Sequence, residues 1–233
     1  MLLDTGVAKI ESRSMRLFPD DTTDWGVSEA LGGDVHIICN PECPDDITRG
    51  ALEIAKFGQD RFPSGIKSIG SGSFGAVASV DSSNGMKYAA KIRGGSFGAE
   101  LDYMGLGPDS AAAITAVHQG VEEISKDRHT IYGLALGAIS VQATVFPVDP
   151  QETNLNPVIV TEYVEGSRPS LLDWLWRRKD LEETLLSAVK LTDFPEENVH
   201  HDFHWGNFIV DANKTTITKI DTGAQSPWQS FEN

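Results

Sequence analysis

The run His200-His201-Asp202-Phe203-His204-Trp205-Gly206-Asn207, with Asp221-Thr222-Gly223 beginning fourteen residues after its Asn, carries the side-chain types of a phosphoryl-transfer centre. In an H-x-D-x-x-x-x-N loop the Asp can accept the proton of an attacking hydroxyl. The Asn and a later Asp are hard oxygen donors suited to Mg²⁺ on ATP phosphates. Asp202 is therefore the expected catalytic base, and Asn207 and Asp221 are the expected metal ligands. Two partners lie upstream in the order this chemistry requires. Gly70-Ser71-Gly72-Ser73-Phe74-Gly75-Ala76-Val77 is a full G-x-G-x-x-G-x-V loop, and Tyr88-Ala89-Ala90-Lys91 has the form of V-A-I-K. Glycines at 70, 72 and 75 let backbone N–H groups reach phosphates that side chains would hold away. Lys91 should meet the α- and β-phosphates, steadied by a glutamate on the following helix. Glu100, flanked by Phe97 and Met104 at helical spacing, is favoured over Glu123 for that part.

These residues need elements to hold them. Asp45 to Thr48 can cap a helix running through Ala51, Leu52, Ile54, Ala55 and Phe57, with Gly58 as its stop. From Ile66 alternation sets in, giving strands through Ile69, over Ala76–Val80 and over Lys87–Ile92, with Asn84-Gly85 as a two-residue hairpin signal. Residues 96–126 read as helix in two pieces broken at Gly105–Pro108, the second placing Ile114, Val117, Val121 and Ile124 on one face. Strands are expected over Ile139–Phe146 and Val158–Thr161, and two short helices over Leu171–Arg178 and Leu181–Lys190. Residues 1 to about 44 have weak periodicity and read as an extension with little regular structure.

Composition narrows the partners. The 233 residues include 19 basic and 34 acidic ones, a net charge of −15, which argues against nucleic acid as the main partner. A nucleotide must then be held by local cations against the overall field. No apolar run is long enough for a membrane span, and Met1-Leu2-Leu3-Asp4 lacks the start of a secretory signal, so a soluble protein made in a cytosol is expected. Cys39 and Cys43 are too few for a disulfide framework. With His36 they form H-x-x-C-x-x-x-C, for which a half-buried strand with two free thiols is preferred to zinc.

Taken together, the glycine loop, the lysine strand, the catalytic loop and the D-T-G segment resemble the protein kinase fold over about Ile66 to Gly223. The resemblance implies an α+β, two-lobed protein with a five-stranded small lobe. It also implies a strongly reduced C-lobe lacking the activation segment and later helices, since ten residues follow Gly223. The expected division is residues 1–60 as an extension with one helix, 61–166 as the N-lobe and 167–233 as a minimal C-lobe. Nucleotide contacts carry over to Gly70, Ser71, Gly72, Ser73, Phe74 and Gly75, and to Val77, Ala89 and Lys91, with Phe74 shielding the transferred group. Val158 to Gly166 resembles the fifth strand and hinge of kinases, which makes Thr161 the gatekeeper and gives Glu162, Tyr163 and Val164 the adenine edge. Departures matter as well. His201 stands where an Arg usually grips a phosphorylated loop, His204 where serine/threonine kinases have Lys, and Thr222 where Phe is usual. A His204 that touched the γ-phosphate would make the rate depend on its charge near neutrality.

Among kinases the arrangement is similar to the compact effector kinases that bacterial pathogens inject by type III secretion. One such family phosphorylates and inactivates the host ninety-kilodalton heat-shock chaperone. That likeness implies an ATP- and Mg²⁺-dependent protein kinase with Ser or Thr as acceptor, a eukaryotic host protein as substrate, and passage from bacterial cytoplasm to host cytoplasm. A second effector family, working with charged ubiquitin-conjugating enzymes, is the runner-up. A small-molecule phosphotransferase and a catalytically dead binding module compete with both, the dead module being disfavoured because Lys91, Asp202 and Asp221 are all present. Asp-Thr-Gly also occurs at Asp4-Thr5-Gly6, the paired signature of an aspartic protease, but the flanking strands such a fold needs have no room at either motif.

Overall fold

The computed structural model describes residues 25–27, 35–40, 43–57, 66–72, 75–92, 108–147, 156–200 and 203–224. The first elements are β1 (Trp25–Val27), β2 (Val35–Cys39), α1 (Asp45–Phe57), β3 (Lys67–Gly72), β4 (Gly75–Asp81) and β5 (Lys87–Ile92). There follow α2 (Pro108–Lys126), β6 (Thr130–Ile131), β7 (Leu134–Ala138), β8 (Val141–Pro147) and β9 (Val158–Glu162). The chain continues through β10 (Gly166–Ser167), α3 (Leu171–Val189), β11 (Val199–His200), β12 (Phe208–Asp211), β13 (Thr216–Lys219) and β14 (Gly223–Ala224).

Seven strands form one antiparallel sheet in the order β1-β2-β8-β9-β5-β4-β3. The five strands expected from the sequence are its β8-β9-β5-β4-β3 portion, and β1 and β2 extend it beyond β8. The stretch before residue 44, read as largely irregular, thus contributes two strands. Its local pattern is weak because short strands gain much of their stability from partners already in place. Alternation sorts the sheet's two faces. Ala76, Ala78 and Val80 of β4, Tyr88, Ala90 and Ile92 of β5, and Val158 and Val160 of β9 are buried. Apart from Ala78, these pack in one cluster with Ile47, Ala51, Ile54 and Ala55, whose spacing makes one face of α1. Val77, Ala89, Lys91, Ile159 and Thr161 point the other way, to a cavity. Asp46 in the first turn of α1 ties the helix to the β4–β5 turn, accepting from Ser82 Oγ at 3.0 Å and from the Ser83 N–H at 2.6 Å. The Ser83 N–H is the main reason its carboxyl is held below the usual range. That turn runs from Ser82 to Met86, longer than the two-residue hairpin expected, with Gly85 at φ 84°.

A five-stranded sheet, ordered β10-β12-β13-β7-β6, forms the second layer. The β12–β13 hairpin was not foreseen, and β7 joins it in parallel through Ala135↔Thr216 to Ala138↔Lys219. Helix α2 begins at Pro108, a position whose missing N–H costs nothing there. It lays Ala113, Val117 and Val121 against Leu181, Leu185, Ala188 and Val189 of α3 and against Leu134 and Leu136. The two short helices expected over 171–190 are one continuous α3. No Gly or Pro interrupts Arg177-Arg178-Lys179-Asp180, and Asp173–Arg177 and Lys179–Glu183 pair one turn apart across that junction. Ser170 caps the helix, its Oγ accepting from the Asp173 N–H at 3.1 Å and donating to the Asp173 carboxylate at 2.7 Å. The mixed α+β architecture is compatible with a kinase-like fold. No described helix is long and apolar enough to cross a membrane.

Candidate active site

Between the two sheets lies a cavity of about 440 Å³. Its roof is the inner face of β3–β5, with Ile69, Gly70, Gly75, Val77, Ala89 and Lys91. Its back is Ile159 and Thr161, and its floor includes Ile114, Ile139, Ile209 and Ile220. The wall opposite the roof carries Gly206, Asn207, Asp221 and Thr222. A mostly apolar slot with a few convergent polar groups on one wall is the usual form of a small-molecule site.

The roof is a hairpin in which Gly70 pairs with Val77 and Gly72 with Gly75. Gly75 has φ 148°, a conformation that penalises any side chain. Gly70 is different, because a Cβ there would meet nothing within 4 Å and the backbone does not require glycine. Its lack of a side chain leaves room at the cavity, which is where a ligand would need it. The backbones of Ser71 and Gly72 belong to β3, whereas Ser73 and Phe74 at the tip lie outside the described residues.

Ladder pairing between β5 and β9 ends at Tyr88↔Glu162, so the backbone from Tyr163 to Glu165 leaves the sheet along the cavity. Glu162, Tyr163 and Val164 line it there, beside buried Thr161. Lys87 Nζ stands 5.9 Å from the Tyr163 ring centre.

The polar wall owes its geometry to two short pairings. Val199↔Ala224 and His200↔Gly223 join β11 to β14, and the Ile220 N–H donates to the Asn207 carbonyl at 2.9 Å. Asp221 is thereby pinned between the end of β13 and the start of β14, next to Asn207. Lys91 Nζ donates to Asp221 Oδ1 at 2.9 Å, across 130 residues of chain. Both groups are partly exposed, 26% and 47% by side chain, so the pair contributes only about 0.2–1 kcal/mol to stability. It marks a place where opposite charges face a cavity rather than a staple of the fold.

Of the two glutamates weighed as partners for Lys91, Glu123 is excluded. It pairs with Lys126 one turn along α2 and lines a separate depression near Tyr132 and Asp180. Helix α2 turns its apolar face to α3 and β7, which leaves Glu123 on the outer side. Glu100, Asp202 and His201 lie outside the described residues, as does Asp4-Thr5-Gly6. The neighbours of Asp202 are placed, with β11 ending at His200 and Phe203 packing against the lower core. His204 caps a 3-10 turn over Trp205–Asn207, its Nδ1 accepting the Gly206 N–H at 3.1 Å.

Two cations escaped the sequence reading. Lys219 is 2% exposed; its Nζ donates to the Asp221 carbonyl and lies 5.8 and 5.4 Å from the ring centres of Phe203 and Phe208. No local pattern distinguished it from a surface lysine on β13. Arg168 lines the cavity and stacks over Trp205, with Cζ 5.4 Å from the ring centre. Away from the cavity, Cys39 and Cys43 are free and half-buried, and both meet Thr48 Oγ1, at 3.3 and 3.9 Å. Burial pushes the Cys43 thiol up to about 11 and raises that of Cys39 too, which disfavours the thiolate a metal would need. The His36 side chain lies outside the described set, and among the described residues no group of three or more His, Cys, Asp or Glu could hold a metal ion.

Residues 142–232 match the family model of the ABC1 atypical kinase-like domain. The match points to a protein kinase-like fold. The matched span begins within β8 and takes in residues 162–166, α3, residues 200–207 and Asp221, while the glycine hairpin and Lys91 precede it. In function the match supports a kinase-like phosphotransferase, and it is consistent with use of ATP and Mg²⁺. The donor set fits that metal, since Asn207 and Asp221 bring amide and carboxylate oxygens to one wall of the cavity, where a cationic group already sits against Asp221. No curated protein matches the chain.

Proposed function

We propose that this protein transfers the γ-phosphoryl group of ATP to a hydroxyl acceptor. The observation that carries the reading is the convergence of Lys91, Asn207 and Asp221, from three separate elements, on a cavity roofed by a glycine hairpin. Adenine would lie between Val77 and Ala89 above and Ile209 and Ile220 below, with its edge toward the backbone of Glu162 to Val164. Lys91 would move its charge from Asp221 to the α- and β-phosphates, while Asn207 and Asp221 take Mg²⁺, which offsets charge on the phosphate oxygens. Asp202 would take the proton of the acceptor hydroxyl as its oxygen forms the new bond to phosphorus and the ADP oxygen leaves. Gly70, Gly72 and Gly75 supply backbone N–H groups over the phosphates.

The proposed acceptor is a Ser or Thr of a protein. By likeness to the compact secreted effector kinases, we propose the host ninety-kilodalton heat-shock chaperone as the first acceptor to test, with delivery to the host cytoplasm. A small-molecule acceptor is the second reading, favoured by the match to an atypical kinase-like domain rather than to an ordinary protein kinase. One experiment separates them. Purified protein is incubated with γ-labelled ATP and Mg²⁺ in eukaryotic and bacterial lysates, beside Asp221→Ala. The protein-kinase reading expects label in a eukaryotic band near ninety kilodaltons, reduced roughly a hundredfold or more in the variant. Label only in the small-molecule fraction would move the acceptor to a metabolite, and equal transfer by Asp221→Ala would remove Asp221 from the mechanism.

A further inference from the structure

We infer that Arg168 is a second phosphate-binding cation of the nucleotide site, taking the polyphosphate of ATP or ADP alongside Lys91. The inference rests on the nucleotide reading of the cavity and assigns a role to a residue that no kinase motif of this chain includes. Four observations support it. Of the described residues lining the cavity, Lys91 and Arg168 are the cations, set against Glu162 and Asp221. A chain of net charge −15 has little long-range attraction for a polyanion, so the local cations must supply it. Lys91 is already engaged by Asp221, whereas Arg168 is exposed and paired with no described carboxylate.

The position of Arg168 is also built rather than incidental. It directly follows β10, whose residues pair as Gly166↔Asp211 and Ser167↔Val210. A Cβ on Gly166 would lie 2.2 Å from the Val210 carbonyl oxygen, so glycine is what lets β10 approach β12 this closely. Buried Pro169 and the Ser170 cap of α3 come next and fix the backbone on the other side. The side chain then stacks on Trp205 and comes to the edge of Gly206, beside the metal ligand Asn207. A planar guanidinium held on an aromatic shelf keeps its N–H edge available for phosphate oxygens.

The test is binding of MgATP, MgADP and adenosine by calorimetry to the wild-type chain, Arg168→Ala and Arg168→Lys. Arg168→Ala should weaken MgATP and MgADP roughly ten- to hundredfold and leave adenosine unchanged, and Arg168→Lys should recover part of the loss. The adenosine arm also reports that the variant cavity is folded. Equal loss of all three ligands would overturn the proposal and leave Arg168 as a brace for Trp205. Unchanged binding of all three would overturn it as well. A wild-type chain that binds none of them would bring down the nucleotide reading itself, and this role with it.

Discussion

His204 shows how a residue foreseen for one part can be built into another. The motif suggested a group near the γ-phosphate, yet its Nδ1 is occupied by the Gly206 N–H, in the cap of the turn that carries Asn207. A cap of this kind stabilises by about 0.5–2 kcal/mol, and Asn provides a comparable acceptor. His204→Ala should therefore lower the midpoint of thermal unfolding by roughly 1–8 °C, while His204→Asn stays near wild type. An Asn variant as destabilised as the Ala variant would show that the ring does something other than cap. Lys91, Asn207 and Asp221 were legible as residue types with a known order. Arg168 and Lys219 were not, because a lone Arg after a hinge and a Lys in a polar strand look the same whether they face a cavity, a core or water.

At the scale of elements, the junction of α2 and α3 forms much of the second core. Gly120 lies at their crossing, and a Cβ there would come within 2.0 Å of the Ala188 carbonyl oxygen. Ala is the better helix former by about 1 kcal/mol, but separating two packed helices costs about 1–3 kcal/mol or more. Gly120→Ala should thus lower the midpoint of thermal unfolding by several degrees, and calorimetry that found a raised midpoint would show that the crossing is not tight. The sequence marked α1 correctly because Ile47, Ala51, Ile54 and Ala55 share one face and Asp45-Asp46 lead it. It divided α3 in two because the run Arg177–Asp180 is polar on its own. Only the contacts of Leu181, Leu185 and Ala188 with α2 show that one axis continues through it.

For the whole molecule, the cavity lies between two sheets with largely separate cores, so a ligand that touches both roof and wall joins them. Binding to the folded chain at about 100 times Kd stabilises by about 2.7 kcal/mol, which for a chain of this size is a rise of roughly 5–10 °C in Tm. MgATP should produce that rise, and Asp221→Ala should lose its Mg²⁺-dependent part. A wild-type Tm indifferent to MgATP would contradict a nucleotide site at the cleft.

The sequence by itself determined the order of the glycine loop, Lys91, Asp202, Asn207 and Asp221 along the chain, and the identity of elements such as α1 whose apolar residues share one face. Those features are local, set by side-chain type and by a period of two or 3.6 residues. The tertiary structure alone decided that β1 and β2 complete a seven-stranded sheet, that β7 joins β13 in parallel, and that Lys91 faces Asp221 rather than Glu123. It alone brought Arg168 to the cavity, at the edge of Gly206. These outcomes depend on which strand edges and charges become neighbours after distant segments pack, and that energy resides in long-range contacts to which no short window of sequence has access.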